Sequence, residues 1–316
     1  MNSRFTATVA KRQKLKARIG LTGATNAGKT YTALLIAEGL LISEGCLLED
    51  GTPDWSKVVV IDTERERSKF YAGIDSIGNF THIDFKPPFD PLSYIDAVAY
   101  AESLGATVCI IDSISHAWMG TGGVLEIVHE RTEKSRSKNT FTEGWGGKEG
   151  GTALQNKMID NIMASKMHTI CTFRQKMEYT QEKDEVTGRT VIVKQGVKPV
   201  QKDDLEYEFD ITLKLNNDHT AEVIKNTVKF LEADVDKLPV ITSEFGKVLG
   251  DYLNKGEDPN VSKQKIKEDY INKIKTMGEK YPPLFEYFKA KYPDKPLNNL
   301  SLNELSELIK TFKEMI

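Results

Sequence analysis

Residues 23 to 30 read Gly-Ala-Thr-Asn-Ala-Gly-Lys-Thr, and Gly23, Gly28, Lys29 and Thr30 stand at the four positions a phosphate-binding loop, the P-loop, requires. Glycines let the backbone curl until several N–H groups aim at one anion, at the positive end of a helix dipole. On this reading the segment Gly23, Ala24, Thr25, Asn26, Ala27, Gly28 and on to Tyr31 wraps the phosphates of a nucleoside triphosphate. Lys29 reaches the β- and γ-phosphates, and the Thr30 hydroxyl ligates Mg²⁺, a cation that takes oxygen ligands. A second acidic position for that ion comes from Thr107-Val-Cys-Ile-Ile-Asp112-Ser113, four apolar residues ending in the carboxylate of Asp112. Val58-Val-Val-Ile61 runs in the same way into Asp62-Thr-Glu64. A carboxylate at such a strand tip can orient and deprotonate an attacking water, which makes Glu64 a candidate general base. The alternative is that Glu64 is one of the solvated charges of the Glu64-Arg-Glu-Arg67 run, and composition alone does not choose.

The elements that must position these groups follow from the pattern. Arg18 to Thr22 is a short apolar run of the buried-strand kind, and Tyr31 to Leu41 is a helix-length run rich in Ala and Leu. Strand, glycine loop and helix are the setting the octet needs. Met167 to Phe173 reads as a further core strand that ends in Arg174-Gln175-Lys176.

Val60-Ile-Asp-Thr-Glu64, then Phe70-Tyr71-Ala72, then Val108-Cys-Ile-Ile-Asp112-Ser113 follow the order and spacing of the RecA-type recombinase ATPase core, which the chain therefore resembles. The resemblance implies an α/β fold, a mostly parallel central sheet flanked by helices, RecA-like in strand order. It implies that Glu64, 48 residues before Asp112, activates the hydrolytic water, and that Tyr71 stacks on the adenine of ATP. It places a polar sensor of the γ-phosphate at Arg174 or Gln175. It makes Lys225, in Ala221-Glu-Val-Ile-Lys-Asn-Thr227, a cation reaching across a subunit interface to a neighbour's ATP, with Thr227 where a second lysine would stand. Ser68 occupies the position of an acidic residue that helps hold adenine, and an insertion around Glu44 to Ser56 lengthens the link to the second strand.

More narrowly, Asp112-Ser-Ile-Ser-His-Ala-Trp118 with Gly-Thr-Gly-Gly123, and Gln201 through Asp210, resemble phage-encoded RecA-like ATPases of single-strand annealing and recombination, over roughly residues 15 to 230. That kinship implies single-stranded DNA as a partner, self-assembly into a ring or filament, and a possible single-strand-binding protein. Residues 130 to 152, a polar Gly-rich loop holding Phe141 and Trp145, and residues 176 to 204, with a hairpin around Val186-Thr-Gly-Arg189, take the places of the two DNA-holding loops. Cations that track phosphates and aromatics that stack on bases are what sequence-tolerant strand binding uses. Trp145 among three glycines has little local reason to be buried.

Composition sets wider bounds. The 316 residues divide into an N-terminal arm (1–17), an ATPase core (18–250), a breaker-rich linker (251–262) and a helical C-terminal region (263–316). The last contains amphipathic segments at Lys263–Tyr281, Pro283–Lys291 and Ser301–Ile316, the final one opened by the capping box Ser301-Leu-Asn-Glu304. A net charge of −3 argues against a protein coated constitutively by DNA, though not against a locally basic groove. Cys46, Cys109 and Cys171 are widely spaced, and His82, His116, His129, His168 and His219 show no metal-ligand spacing with them, so no zinc site is expected. His116 follows the Asp112 strand closely enough to face the nucleotide, but a structural histidine is the preferred reading. The basic run 11–18 and the Phe5-Thr-Ala7 motif precede the core. Lacking an apolar leader or a membrane-length segment, the chain reads as cytoplasmic, in a host cytoplasm if phage-encoded. Three functions stay open: a DNA-dependent recombination or annealing ATPase, a KaiC-like regulatory or assembly ATPase with a protein partner, and a nucleotide-binding scaffold of negligible turnover.

Overall fold

The computed structural model describes residues 10, 12–183, 190–202, 205–228, 231, 236–256, 259–293 and 295–315, with backbone alone for 176–183, 190–199, 259–266, 269, 302 and 303. The Phe5-Thr-Ala7 motif, Lys11 of the basic run and the hairpin tip at Val186–Arg189 lie outside these residues. Two compact units result, one from Lys16 to Asn254 and one from the residues up to Leu15 together with Lys255–Ile316.

In the larger unit, β1 (Arg18–Gly23) leads into α1 (Lys29–Ser43), β2 (Val58–Asp62), β3 (Thr81–Asp84), α2 (Pro91–Ser103), β4 (Val108–Asp112) and the single turn α3 (His116–Met119). There follow α4 (Val124–Lys134), α5 (Gly151–Ala164), β5 (His168–Lys183), β6 (Thr190–Pro199), β7 (Ile211–Leu215), β8 (Ala221–Asn226), β9 (Lys237–Leu238) and α6 (Ser243–Leu253). The sheet order is β3-β2-β4-β5-β1-β7-β8-β9, with β6 paired to β5 outside that path. β3 to β7 along this order run parallel, while β7–β8, β8–β9 and β5–β6 are antiparallel. The protein is thus an α/β fold with a mostly parallel sheet flanked by helices.

Alternation along the strands builds two cores, because successive side chains on a strand point to opposite faces. Val58, Val60, Val108, Ile110 and Ile170 join the layer containing α1, whereas Val59, Ile61, Cys109, Ile111, Cys171 and Phe173 join Tyr94 and Val98 of α2 and Met158 and Ile162 of α5. Strands buried on both sides read as continuous apolar runs, which is what Val58–Ile61 and Val108–Ile111 are. α1 and α6 approach until a Cβ on Gly39 would lie 1.9 Å from Ser243 O and one on Gly246 2.1 Å from Ile36 O. Arg18, buried at the start of β1, donates to the carbonyls of Met163 and Met167 at 2.9 and 2.7 Å and so closes the end of α5. Cys109 and Cys171 are buried and reduced, and Cys46 is half-buried. His168 is wholly buried, its Nδ1 accepting from Ala17 N at 3.0 Å and its Nε2 2.8 Å from Glu44 Oε1.

The second unit holds α7 (Pro259–Lys280), α8 (Pro283–Lys291) and α9 (Leu302–Met315) around Ile274, Leu284, Leu305, Leu308 and Phe312. The capping box forms: Ser301 N donates to Glu304 Oε2 at 2.7 Å and Glu304 N to Ser301 Oγ at 3.3 Å. Both ends of the stretch read as linker from composition are helical, since α6 runs to Leu253 and α7 begins at Pro259. A Cβ on Gly256 would lie 2.2 Å from the backbone of Gln13, so the N-terminal segment packs within this unit. Among the described residues no helix is long and apolar enough to cross a membrane.

Candidate active site

The octet turns from β1 into α1 through Asn26 at φ 67° and Gly28 at φ 85°, the left-handed region where glycine carries no Cβ penalty. Any Cβ at Gly28 would also lie 3.1 Å from Nδ1 of His219, which the β7–β8 turn sets against the loop. The first-turn amides of α1 have no intrahelical acceptor, and no acidic side chain occupies that turn. Lys29 Nζ donates to Gly23 O at 2.9 Å and Ala24 O at 2.8 Å, so the ammonium is folded over the loop. Burial lowers its pKa, against the opposing pull of Asp112 and Glu64.

β4 delivers Asp112 beside this loop. Thr30 Oγ1 donates to Asp112 Oδ2 at 2.5 Å, and Thr172 Oγ1, from the adjacent β5, donates to Oδ1. Burial raises the Asp112 pKa beyond what these two hydroxyl donors lower it. A buried carboxylate hydrogen-bonded by two threonine hydroxyls and by no cationic side chain is a hard-oxygen set, and it fits Mg²⁺. Bound there, the ion would neutralise charge on the β- and γ-phosphate oxygens.

Asp62, level with Asp112 across the β2–β4 ladder, does different work. Its Oδ1 accepts from Glu64 N at 2.6 Å, and its Oδ2 accepts from Ser68 N at 2.9 Å and Ser68 Oγ at 2.6 Å. Ser68 is fully buried in this turn, its hydroxyl spent on Asp62. Thr63 Oγ1 accepts from Ser113 N at 2.9 Å and lies 2.7 Å from His116 Nδ1, tying the two strand ends together. The Asp112–Ser113 peptide is cis.

Glu64 then projects from the fixed turn. Ser113 Oγ donates to its Oε1 at 3.0 Å, and Arg174 grips both carboxylate oxygens, Nε to Oε1 at 2.6 Å and Nη2 to Oε2. Burial alone would raise the Glu64 pKa, but the Arg174 pair, His116 and Ser113 outweigh it and hold the carboxyl below its ordinary range. Glu64 is therefore no solvated surface charge: its side chain is 13 % exposed.

These groups share one cleft of about 640 Å³, lined by Gly23, Thr25, Asn26, Gly28, Lys29 and Thr30 on one side and by Glu64, Asp112, Ser113, Arg174 and Gln175 on the other. Tyr71 lines its mouth, tilted against Tyr31 at a ring separation of 5.5 Å. Tyr31 itself is not in the lining, and its hydroxyl donates to Asp75 Oδ2 at 2.9 Å. Ala27 is fully buried under the loop. Lys225 pairs with Thr212 in the β7–β8 ladder, beside Gly20 and three residues before the P-loop end of β1, with its Nζ on Tyr207 O. It stands away from its own cleft.

A family model described as AAA domain matches residues 15–235. The chain belongs to this family. No curated protein matches the chain. The AAA domain makes it a nucleotide-binding ATPase, and the matched span contains every group of the cleft just described.

Within the AAA domain the structure also adds residues that sequence reasoning missed. Met119, Ser115 and Arg67 line the cleft, as does His116, whose position allowed it to face the nucleotide although it was read as structural, and which stacks on Phe89 at 4.9 Å. Their signal was position alone, within seven residues after Asp112 or three after Glu64. The polar stretch 130–152 is not one loop: α4 runs to Lys134, a wide helical turn spans Thr140–Trp145 and α5 starts at Gly151. Trp145 is half-buried, 5.6 Å from the ring of Trp118 and 2.9 Å from where a Cβ on Gly151 would stand. Gly151, outside the three neighbouring glycines, makes room for the indole, so the ring is half-buried where a solvent-facing one was expected. Phe141 is 81 % exposed.

Proposed function

We propose that this AAA-domain protein is a Mg²⁺-dependent, RecA-like ATPase that works on single-stranded DNA in recombination or annealing, of the kind phages encode. The observation that carries the reading is the course of β5. It passes the cleft at Arg174 and Gln175 and continues as the same strand to Lys183, paired there with β6. A DNA strand held along that hairpin, or beside Phe141, would load the segment that faces the γ-phosphate.

In this reading the backbone from Gly23 to Thr30 wraps the phosphates of ATP and Tyr71 stacks on adenine. Thr30 and Asp112 hold Mg²⁺, and Lys29 leaves the loop carbonyls for the β- and γ-phosphates. Glu64 takes a proton from the water whose oxygen attacks the γ-phosphorus as the bond to ADP breaks. Arg174 or Gln175 registers the γ-phosphate. Lys225, held away from its own cleft, reaches a neighbouring copy's ATP in a ring or filament. The core 18–250 does the chemistry, the flanking regions 1–17 and 263–316 serve assembly, and a single-strand-binding protein in the same cytoplasm is a fitting partner.

The test is ADP formation from Mg²⁺-ATP with and without single-stranded DNA, against Lys29→Ala. Several-fold stimulation by single strands, absent in Lys29→Ala, is expected. Turnover indifferent to DNA at concentrations that permit assembly would instead select the KaiC-like regulatory reading.

A further inference from the structure

Beyond the nucleotide cleft lies a second one of about 780 Å³, entered past the tips of β2 and β3. Its lining includes Arg65, Arg67, Lys86, Phe85 and Thr121, and it shares Glu64, His116, Met119 and Arg174 with the first cleft. The two are therefore contiguous, and Arg174 forms part of the wall between them.

The charge of this second cleft is not balanced. Its three acidic groups are each occupied: Glu64 by Arg174, Glu66 by Lys69 at 2.5 Å and Asp84 by Lys86 at 2.9 Å. Arg65 and Arg67 have no acidic partner among the described residues, and both are exposed at the rim. Arg65 and Glu66 sit at φ 59° and 61°, so consecutive left-handed residues turn this rim over the opening. Guanidinium groups pair with phosphate through two parallel hydrogen bonds, and with the neighbouring carboxylates Glu66 and Asp84 already held by Lys69 and Lys86, those of Arg65 and Arg67 have no acidic side chain competing for them among the described residues.

We propose that the second cleft binds a phosphate-bearing anion, and that its ligand competes with Glu64 for Arg174, freeing the Glu64 carboxylate for water. The inference rests on the reading of Glu64 as the base. It gives the protein an effector site one side chain from the reacting phosphate. The shared chemistry is phosphate, and its source is either the backbone of a single strand or free phosphate.

The experiment follows ADP formation from Mg²⁺-ATP while oligothymidylate or inorganic phosphate is titrated, in the wild type and in Arg65→Gln/Lys86→Gln. Both side chains are exposed and lie outside the nucleotide cleft, so basal turnover and ATP affinity stay within about twofold. The double variant is expected to need at least about tenfold more ligand for half-maximal stimulation, with Arg65→Lys/Lys86→Arg recovering much of it. Stimulation by oligothymidylate alone names the strand as the source, and stimulation by inorganic phosphate alone names the free ion. Equal stimulation of wild type and variant, or none by either ligand, overturns the site. If no ADP forms under any condition, the ATPase reading fails, and the site is judged by anisotropy of a labelled oligothymidylate and by the heat of phosphate binding. There an unchanged affinity in the double variant overturns it, and a tenfold loss upholds it.

Discussion

Glu64 carries a burden that its neighbours define. Its carboxylate is held anionic by Arg174 and aimed by Ser113 and the Asp62 turn, so replacing it with glutamine keeps the shape and removes the proton acceptor. Glu64→Gln is expected to retain ATP binding and to lose about 10²–10⁴-fold in turnover, measured by fluorescent-nucleotide titration and ADP formation. Near-normal turnover would remove Glu64 as the base. His168 offers a test of the fold at the same scale. Burial pushes its pKa down to about 4, with Glu44 opposing and Lys16 and Arg18 reinforcing the shift. The folded state thus prefers the neutral ring, while the unfolded ring titrates near 6.5. Stability is full above the unfolded value and is lost as pH falls from about 6.5 to about 4, by on the order of 3 kcal/mol, because protons bind the unfolded chain more tightly. Thermal midpoints across that window should fall in the wild type and flatten in His168→Gln.

Packing between elements leaves less tolerance than the chemistry does. Gly39 and Gly246 let α1, the helix that carries Lys29 and Thr30, lie against α6 with backbone nearly touching backbone. Gly246→Val should destabilise by about 1–3 kcal/mol or more, read as a lower urea midpoint, and should weaken nucleotide binding through α1. A second element-scale expectation concerns α3, whose His116 and Met119 line the cleft while its Trp118 meets Trp145. ATP entering the cleft should change tryptophan emission, and Trp145→Phe should remove most of that response. At this scale the limits of the sequence also become clear. β2 and β4 are legible because doubly buried strands must be unbroken apolar runs, β1 because it leads into the Gly23–Thr30 octet, and Asp112 follows as the carboxylate that ends β4. β3 was not legible, since Thr81-His-Ile-Asp84 is short and half-exposed at the sheet edge. Nor was the Trp145 pocket, because the residues that bury it, Trp118 and Gly151, are distant in pattern though close in space. Arg174 was legible as a strand-end polar group and, by resemblance, as one of two candidates for a γ-phosphate sensor, but not as a partner of Glu64. Its grip on Glu64 depends on β5 lying beside β4, a tertiary fact.

For the molecule as a whole, the division at Asn254 has a practical meaning, because every residue of both clefts belongs to the unit Lys16–Asn254. A chain ending at Asn254 is expected to bind ATP within a few-fold of full length, as checked by calorimetry, and a loss of binding would show that the C-terminal helices are needed for the core to fold. The three thiols complete the picture at this scale. Desolvation pushes Cys109 up to about 12 and raises Cys171 as well, both in the interior of the sheet, whereas Cys46 sits half-buried beside Thr107 Oγ1 at 3.4 Å. A thiolate is the species that alkylating reagents attack, so only one of the three is open to them while the fold is intact. The unaltered chain therefore comes with a single attachment point for a dye or spin label, and labelling of a second sulfur would time the opening of the core.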